Sequence, residues 1–277
     1  MPELGALSPG LVAELLLLGA IAGFLAGLLG LGGGMMMVPF ITAIVSQRGV
    51  PPMLAVKVAI ATSMATIVFT SLSSLRAHHR LGAVRWDLVR RMSPGVIAGG
   101  MLAGAGAFAV FKGQGLALFF AAFIGWSALG LWRDRKPKPG RALPGRAGLL
   151  GVGGVIGFTC GLLGAGGAFI TVPFLVWCNV NIRHAIGTSA ALGFPVALAA
   201  TAGYVLAGWR LPQALPGLFG YLYIPALAVL VLASVSLAPL GARVAQRIDT
   251  LLLKRAFALL LLGLAAYMLR VGLSATP

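Results

Sequence analysis

Eight stretches of this chain approach or exceed the apolar length of a bilayer-spanning helix: 11–31, 54–75, 95–111, 114–132, 147–170, 184–207, 222–240 and 256–269. Such a helix needs roughly 17–25 residues. Hydrocarbon accepts few alternatives, because backbone polar groups find no water there and must bond within the segment. The composition agrees. Of 277 residues, 59% are hydrophobic and 9% charged, whereas soluble domains are about a quarter charged. An all-α polytopic membrane protein is expected.

The chain also repeats itself. Residues 23–40 align with 157–174 without a gap, with eleven identities in eighteen positions, and "AIATS" (59–63) matches "AIGTS" (185–189). A repeat of this kind sets the architecture. It predicts an N-terminal membrane repeat (1–132), a basic, proline-rich linker "RDRKPKPGRALPGR" (133–146) and a C-terminal repeat (147–277). Each repeat reads as five embedded segments. Segments A to E fall near 10–31, 35–46, 54–75, 93–111 and 114–132, and A′ to E′ near 147–165, 168–179, 184–207, 217–240 and 254–272. B and B′ are short. Small residues at four-residue spacing, Gly19, Gly23 and Gly27 in A and Gly153, Gly157 and Gly161 in A′, predict closely packed helices.

The net charge of +16 sits between the apolar spans, which argues against nucleic-acid binding and for an orientation signal. The C–D loop carries Arg76, Arg80, Arg85, Arg90 and Arg91, while C′–D′ carries only Arg210. Conversely D–E carries only Lys112, while D′–E′ carries Arg243, Arg247, Lys254 and Arg255. With the linker cytoplasmic, sixteen of the twenty-one Lys and Arg lie inside. That pattern predicts an inverted repeat with both termini outside, in a bacterial inner membrane. Each repeat then crosses an odd number of times, five if A and B both span and three if they form a re-entrant hairpin. The sequence leaves both open.

The glycine clusters "GLGGG" (30–34) and "GAGGA" (164–168) interrupt helices at membrane depth. Irregular backbone survives there only where protein encloses it. A break bares the first amides of B and B′, with a helix dipole behind them, and successive N–H groups in such a turn bind anions. Gly30, Gly32, Gly33, Gly34, Gly164, Gly166 and Gly167 are therefore candidate substrate ligands, with Pro39 and Pro173 keeping the short helices bent. Plain helix packing is the competing reading of these glycines. Thr62, Ser63, Thr188 and Ser189 recur mid-span in C and C′, where hydroxyls either face an oxyanion or coupling cation or bond back to their own helix. Lys57, Arg183 and the adjacent His184 are candidates for anion recruitment, although cations near helix ends also snorkel.

Acidic residues number five: Glu3, Glu14, Asp87, Asp134 and Asp249, none at the centre of a span. A cation carrier or carboxylate proton relay needs one there, so an anionic substrate is expected. Coupling to a proton or sodium ion stays open. No cofactor or metal is expected: His78-His79 reads as a solvated loop, Cys160 and Cys178 as packing residues, and no catalytic set assembles. An anion channel of the same architecture and a non-transporting membrane scaffold are the alternatives to a carrier.

"GFLAGLLGLGGGMMMVPFI" and "GFTCGLLGAGGAFITVPFLV", each followed by A-I-x-T-S, resemble the TauE/SafE sulfite exporter family of membrane permeases. The closing "PLGARVAQRIDTLLLKRAFALLLLGLAAYMLR" is similar to that family's C-terminal end, and the likeness covers roughly 15–270. The resemblance implies transport of sulfur-containing anions such as sulfite, sulfoacetate, other organosulfonates or thiosulfate, with the glycines and the two Thr-Ser pairs carrying the role. Phe169-Ile170 stands where the first repeat has Met35-Met36, making the two faces unequal. Pro195, opposite Phe69, is expected to kink C′ alone.

Overall fold

A computed structural model describes residues 8–29, 34–133, 140–209, 217–244 and 250–274, and the side chains of 26–29, 239, 241–243 and 250–254 are not among those described. Eleven helices are described: α1 (Pro9–Leu29), α2 (Gly34–Gln47), α3 (Pro52–Arg80), α4 (Trp86–Met101), α5 (Phe108–Val110), α6 (Gly113–Trp132), α7 (Arg146–Leu163), α8 (Ala168–Trp177), α9 (Ile182–Gly208), α10 (Ile224–Val244) and α11 (Thr250–Leu273). A π-helical turn, Leu102–Ala107, joins α4 to α5. Six helical stretches among the described residues are long and apolar enough to cross a membrane by themselves. α1 and α10 have 21 residues each, about 30 Å at 1.5 Å per residue. By the same measure α2 and α8, with 14 and 10 residues, are half-length. The chain is an all-α polytopic membrane protein.

Two expectations need correction. Residues 217–223, placed at the start of helix D′, form a short hairpin in which β1 (Leu218–Phe219) pairs antiparallel with β2 (Leu222–Tyr223). Gly217 and Gly220 adopt φ of +87° and +60°, left-handed backbone that glycine enters without a Cβ clash. The C–D loop shrinks to Leu81–Arg85, because Arg76 and Arg80 lie in the last turns of α3 and Arg90 and Arg91 in the first turns of α4. α9, which contains Pro195, runs from Ile182 to Gly208.

The packing partners interlock the two halves of the chain. α1 packs chiefly on α10, α4 on α7, α6 on α11 and α3 on α9, while α2 lies on α3 and α8 on α9. α3 is the most enclosed of the spans, with Val58 to Ala65 all buried. Glycines set the α4–α7 spacing. A Cβ at Gly153 would lie 2.5 Å from the Met92 carbonyl oxygen, and one at Gly157 would overlap the Val96 carbonyl. Gly95 and Gly99 reciprocate against the backbones of Leu150 and Gly154. Backbones this close are the use of small-xxx-small faces in lipid, where dispersion and close approach replace the hydrophobic drive between helices.

Candidate functional site

α7 stops at Leu163 because Gly164 turns left-handed, at φ +61°. The Ala165 N–H reaches back to the Cys160 carbonyl at 3.4 Å, a Schellman-type closure. That bond leaves the Gly161 carbonyl without its usual donor four residues on. The buried hydroxyl of Tyr204, on α9, donates to it instead. After two more residues Gly167 caps α8, its carbonyl accepting from Ile170 N at 3.1 Å and Thr171 N at 2.8 Å.

This turn has donors to spare. Among the described residues the N–H groups of Gly166, Gly167, Ala168 and Phe169 make no hydrogen bond, and Gly167, Ala168 and Phe169 are buried. Four successive unpaired amides at a helix start carry the positive end of its dipole. Thr171 Oγ1 lies 3.3 Å from where a Cβ on Gly167 would stand, and Cys160 Sγ lies 3.4 Å from the same point. Thr171 is fully buried, and its hydroxyl has no partner. Ser189, on the helix that α8 packs against, is in the same state at 3% exposure. Ser127 and Thr201 also lack partners, but neither adjoins a helix start. The arrangement concentrates unpaired hydrogen-bond donors at the start of α8.

Gly30, Gly32 and Gly33 lie outside the described residues. Gly34 opens α2, and its open side abuts the second motif: a Cβ there would lie 2.8 Å from the Gly164 carbonyl oxygen and 3.1 Å from Ala165 Cα. Ser63 joins the two motifs, its hydroxyl shared between the carbonyls of Gly34 (3.2 Å) and Gly164 (3.0 Å). The start of α2 and the end of α7 thus meet at Ser63 of α3. Pro39 and Pro173 sit inside α2 and α8, which continue past them.

The threonines do something the sequence did not reveal. Thr62 Oγ1 accepts from Tyr223 N at 3.1 Å, just before α10, and Thr188 Oγ1 accepts from Arg85 N at 3.1 Å, just before α4. Ser63, Thr62 and Thr188 therefore spend hydroxyl capacity on protein backbone, and Ser189 alone of the four has none spent. The cations also separate. Lys57 Nζ rests over the rings of Phe108 and Tyr221, 5.5 and 5.4 Å from their centroids. Arg183 donates to the Leu81 carbonyl at 3.0 Å, and His184 Nδ1 lies 3.2 Å from the Ala83 carbonyl oxygen. Of the acidic residues described, Glu14 pairs with Arg48 at 3.0 Å and Asp87 with Arg85 at 2.5 Å. Sequence reasoning missed Thr171, Tyr204 and the Phe108–Tyr221 seat. Thr171 had a signal, being the only hydroxyl in "GLLGAGGAFITVPF".

Six helical stretches long and apolar enough to cross a membrane among the described residues define the class, an all-α integral membrane protein. The family model described as Sulfite exporter TauE/SafE matches residues 15–268, and the chain belongs to that family. It is 33% identical over 261 residues to a probable membrane transporter protein of Haemophilus influenzae, covering 91% of this chain and 96% of that one. A probable membrane transporter protein of Methanocaldococcus jannaschii is 24% identical over 256 residues, covering 86% and 88%. The probable membrane transporter protein YdhB of Bacillus subtilis is 27% identical over 214 residues, covering 72% and 79%. No solved structure matches the chain. The protein is a membrane transporter.

Proposed function

We propose that the transporter is a secondary carrier for a small sulfur-containing anion, such as sulfite, sulfoacetate or another organosulfonate, working by alternating access. One observation carries the reading: four unpaired amides at the start of α8 stand beside the unpartnered hydroxyl of Thr171. A hydrated oxyanion gives up water only for comparable donors, and preformed amides at a helix start supply them. Gly164, Gly166, Gly167, Thr171 and Ser189 form the binding face, and Gly34, at the start of α2, abuts it at Gly164. Thr62, Ser63 and Thr188 fix the backbone around it. Lys57, Arg183 and His184 lie along the two approaches. The family's description, which names sulfite export, supports the substrate class.

The charge pattern supports an inverted repeat with the linker cytoplasmic and both termini outside, in the bacterial inner membrane. The reciprocal packing of α1 on α10 and of α4 on α7 fits two such repeats exchanging partners about a common axis.

The test is uptake into proteoliposomes with sulfite, sulfoacetate, taurine, thiosulfate and sulfate in competition, repeated with Gly167→Val. The variant puts methyl groups where Thr171 Oγ1 and Cys160 Sγ already crowd, and is expected to insert normally and lose transport. Undiminished flux of every anion through it would remove the site. Exchange of labelled for unlabelled substrate is the expected mark of a carrier, and its absence alongside rapid flux that of a channel.

A further inference from the structure

We infer that Thr62 and Thr188 are a matched pair of latches that close the Gly164–Gly167 turn toward opposite sides of the membrane. The inference rests on the carrier reading above. Its basis is a correspondence between hydrogen bonds. Thr62 and Thr188 occupy the same place in "AIATS" and "AIGTS", both fully buried. Each accepts from the backbone N–H that immediately precedes a long helix of the other half, 161 and 103 residues away. Each bond therefore ties a core helix to the segment that would have to move for that end to open. The next position after Thr62 is Ser63, whose hydroxyl meets the carbonyls of Gly34 and Gly164.

Both ends carry further contacts. At the Thr188 end, Arg183 donates to Leu81 O, His184 Nδ1 meets Ala83 O, and a Cβ on Gly187 would lie 2.5 Å from that same oxygen. The loop Leu81–Arg85 is held by polar contacts at three of its five residues. At the Thr62 end, Lys57 lies over Tyr221 and Phe108, Trp209 meets Phe219 edge to face, and a Cβ on Gly208 would lie 2.6 Å from the Gly220 carbonyl carbon. The two cations differ in kind: Lys57 rests on aromatic rings, whereas one N–H of Arg183 is bonded to a carbonyl.

Cys160 is a built-in reporter, 2% exposed beside Gly167. With Cys178→Ser removing the second thiol, a membrane-impermeant maleimide is applied to either face of oriented vesicles. Faces are identified by Leu81→Cys and Phe219→Cys, both at exposed positions. Thr62→Val should speed labelling about fivefold from that face alone, and Thr188→Val from the loop face alone, the loss of one net hydrogen bond in each case. Thr62→Ser and Thr188→Ser, which keep the hydroxyl, should label at the parent rate. Lys57→Gln and Arg183→Gln repeat the comparison outside the core. Acceleration from the same face by both members of either pair, or by neither member, overturns the latches. Labelling needs no substrate, so sided acceleration without transport of any tested anion would leave the latches standing and remove only the cargo.

Discussion

Thr171 and Tyr204 place two hydroxyls near one glycine turn with opposite consequences. Tyr204 supplies the donor that the end of α7 lacks, so Tyr204→Phe orphans the Gly161 carbonyl at a cost of about 1–3 kcal/mol. The expected result is a lower unfolding temperature in detergent and faster hydrogen exchange across 161–166, with thermal scans and exchange mass spectrometry as the checks. Thr171 has no partner to lose. Thr171→Val removes a buried unsatisfied group at nearly constant volume, so the unliganded protein should be as stable or more so. Anion affinity should fall about tenfold, the value of one hydrogen bond to a charged group. Thermal shift with and without sulfite separates the two effects, and a parallel loss of stability and affinity would make Thr171 an ordinary packing residue. The sequence exposed the doubled Thr-Ser pairs by their spacing. It hid what they bond to, because those partners are main-chain amides more than a hundred residues away, and an amide has no residue identity to read.

At the scale of elements, the helices were legible where apolar length and loop charge agree. Segment E, expected at 114–132, is α6 at Gly113–Trp132, and A′, expected at 147–165, is α7 at Arg146–Leu163. The hairpin before α10 was hidden because "LFGYLYIPALAVLVL" is apolar throughout, and burial in lipid erases the polar alternation by which strands are recognised. The arginines of α3 and α4 misled for a related reason: helices extend past the hydrocarbon, carrying their cations with them. Glycine spacing was the more reliable guide, and it makes a graded prediction. Gly157→Ala drives a methyl into the Val96 carbonyl, whereas Gly151→Ala on the same helix meets nothing within 4 Å. The first should destabilise by about 1–3 kcal/mol through overpacking. The second should be neutral or slightly stabilising, by helix propensity. Equal unfolding temperatures for the two variants would show that α4 and α7 do not depend on close approach.

For the whole molecule, partner exchange decides how the chain assembles. α1 packs principally on α10 and α4 on α7, and α3 and α9 meet at the centre. Each of these pairs takes one helix from either side of the 134–139 segment. A half expressed alone therefore leaves Gly19 and Gly23, or Gly153 and Gly157, facing lipid across surfaces shaped to fit backbone, as at Gly19 against Ala233 Cβ 2.9 Å from its open side. Lipid chains fill such grooves poorly, and the dispersion attraction forfeited there is not recovered elsewhere. Residues 1–139 and 140–277 are accordingly expected to be degraded when made separately. Made together they should associate, since no described helix is cut and the exchanged helix pairs supply the contacts. Affinity capture through a tag on one half, followed by sulfite thermal shift on the pair, measures the outcome. Stable accumulation of either half alone would mean that each folds by its own packing, and would remove the exchanged pairing as a requirement for assembly.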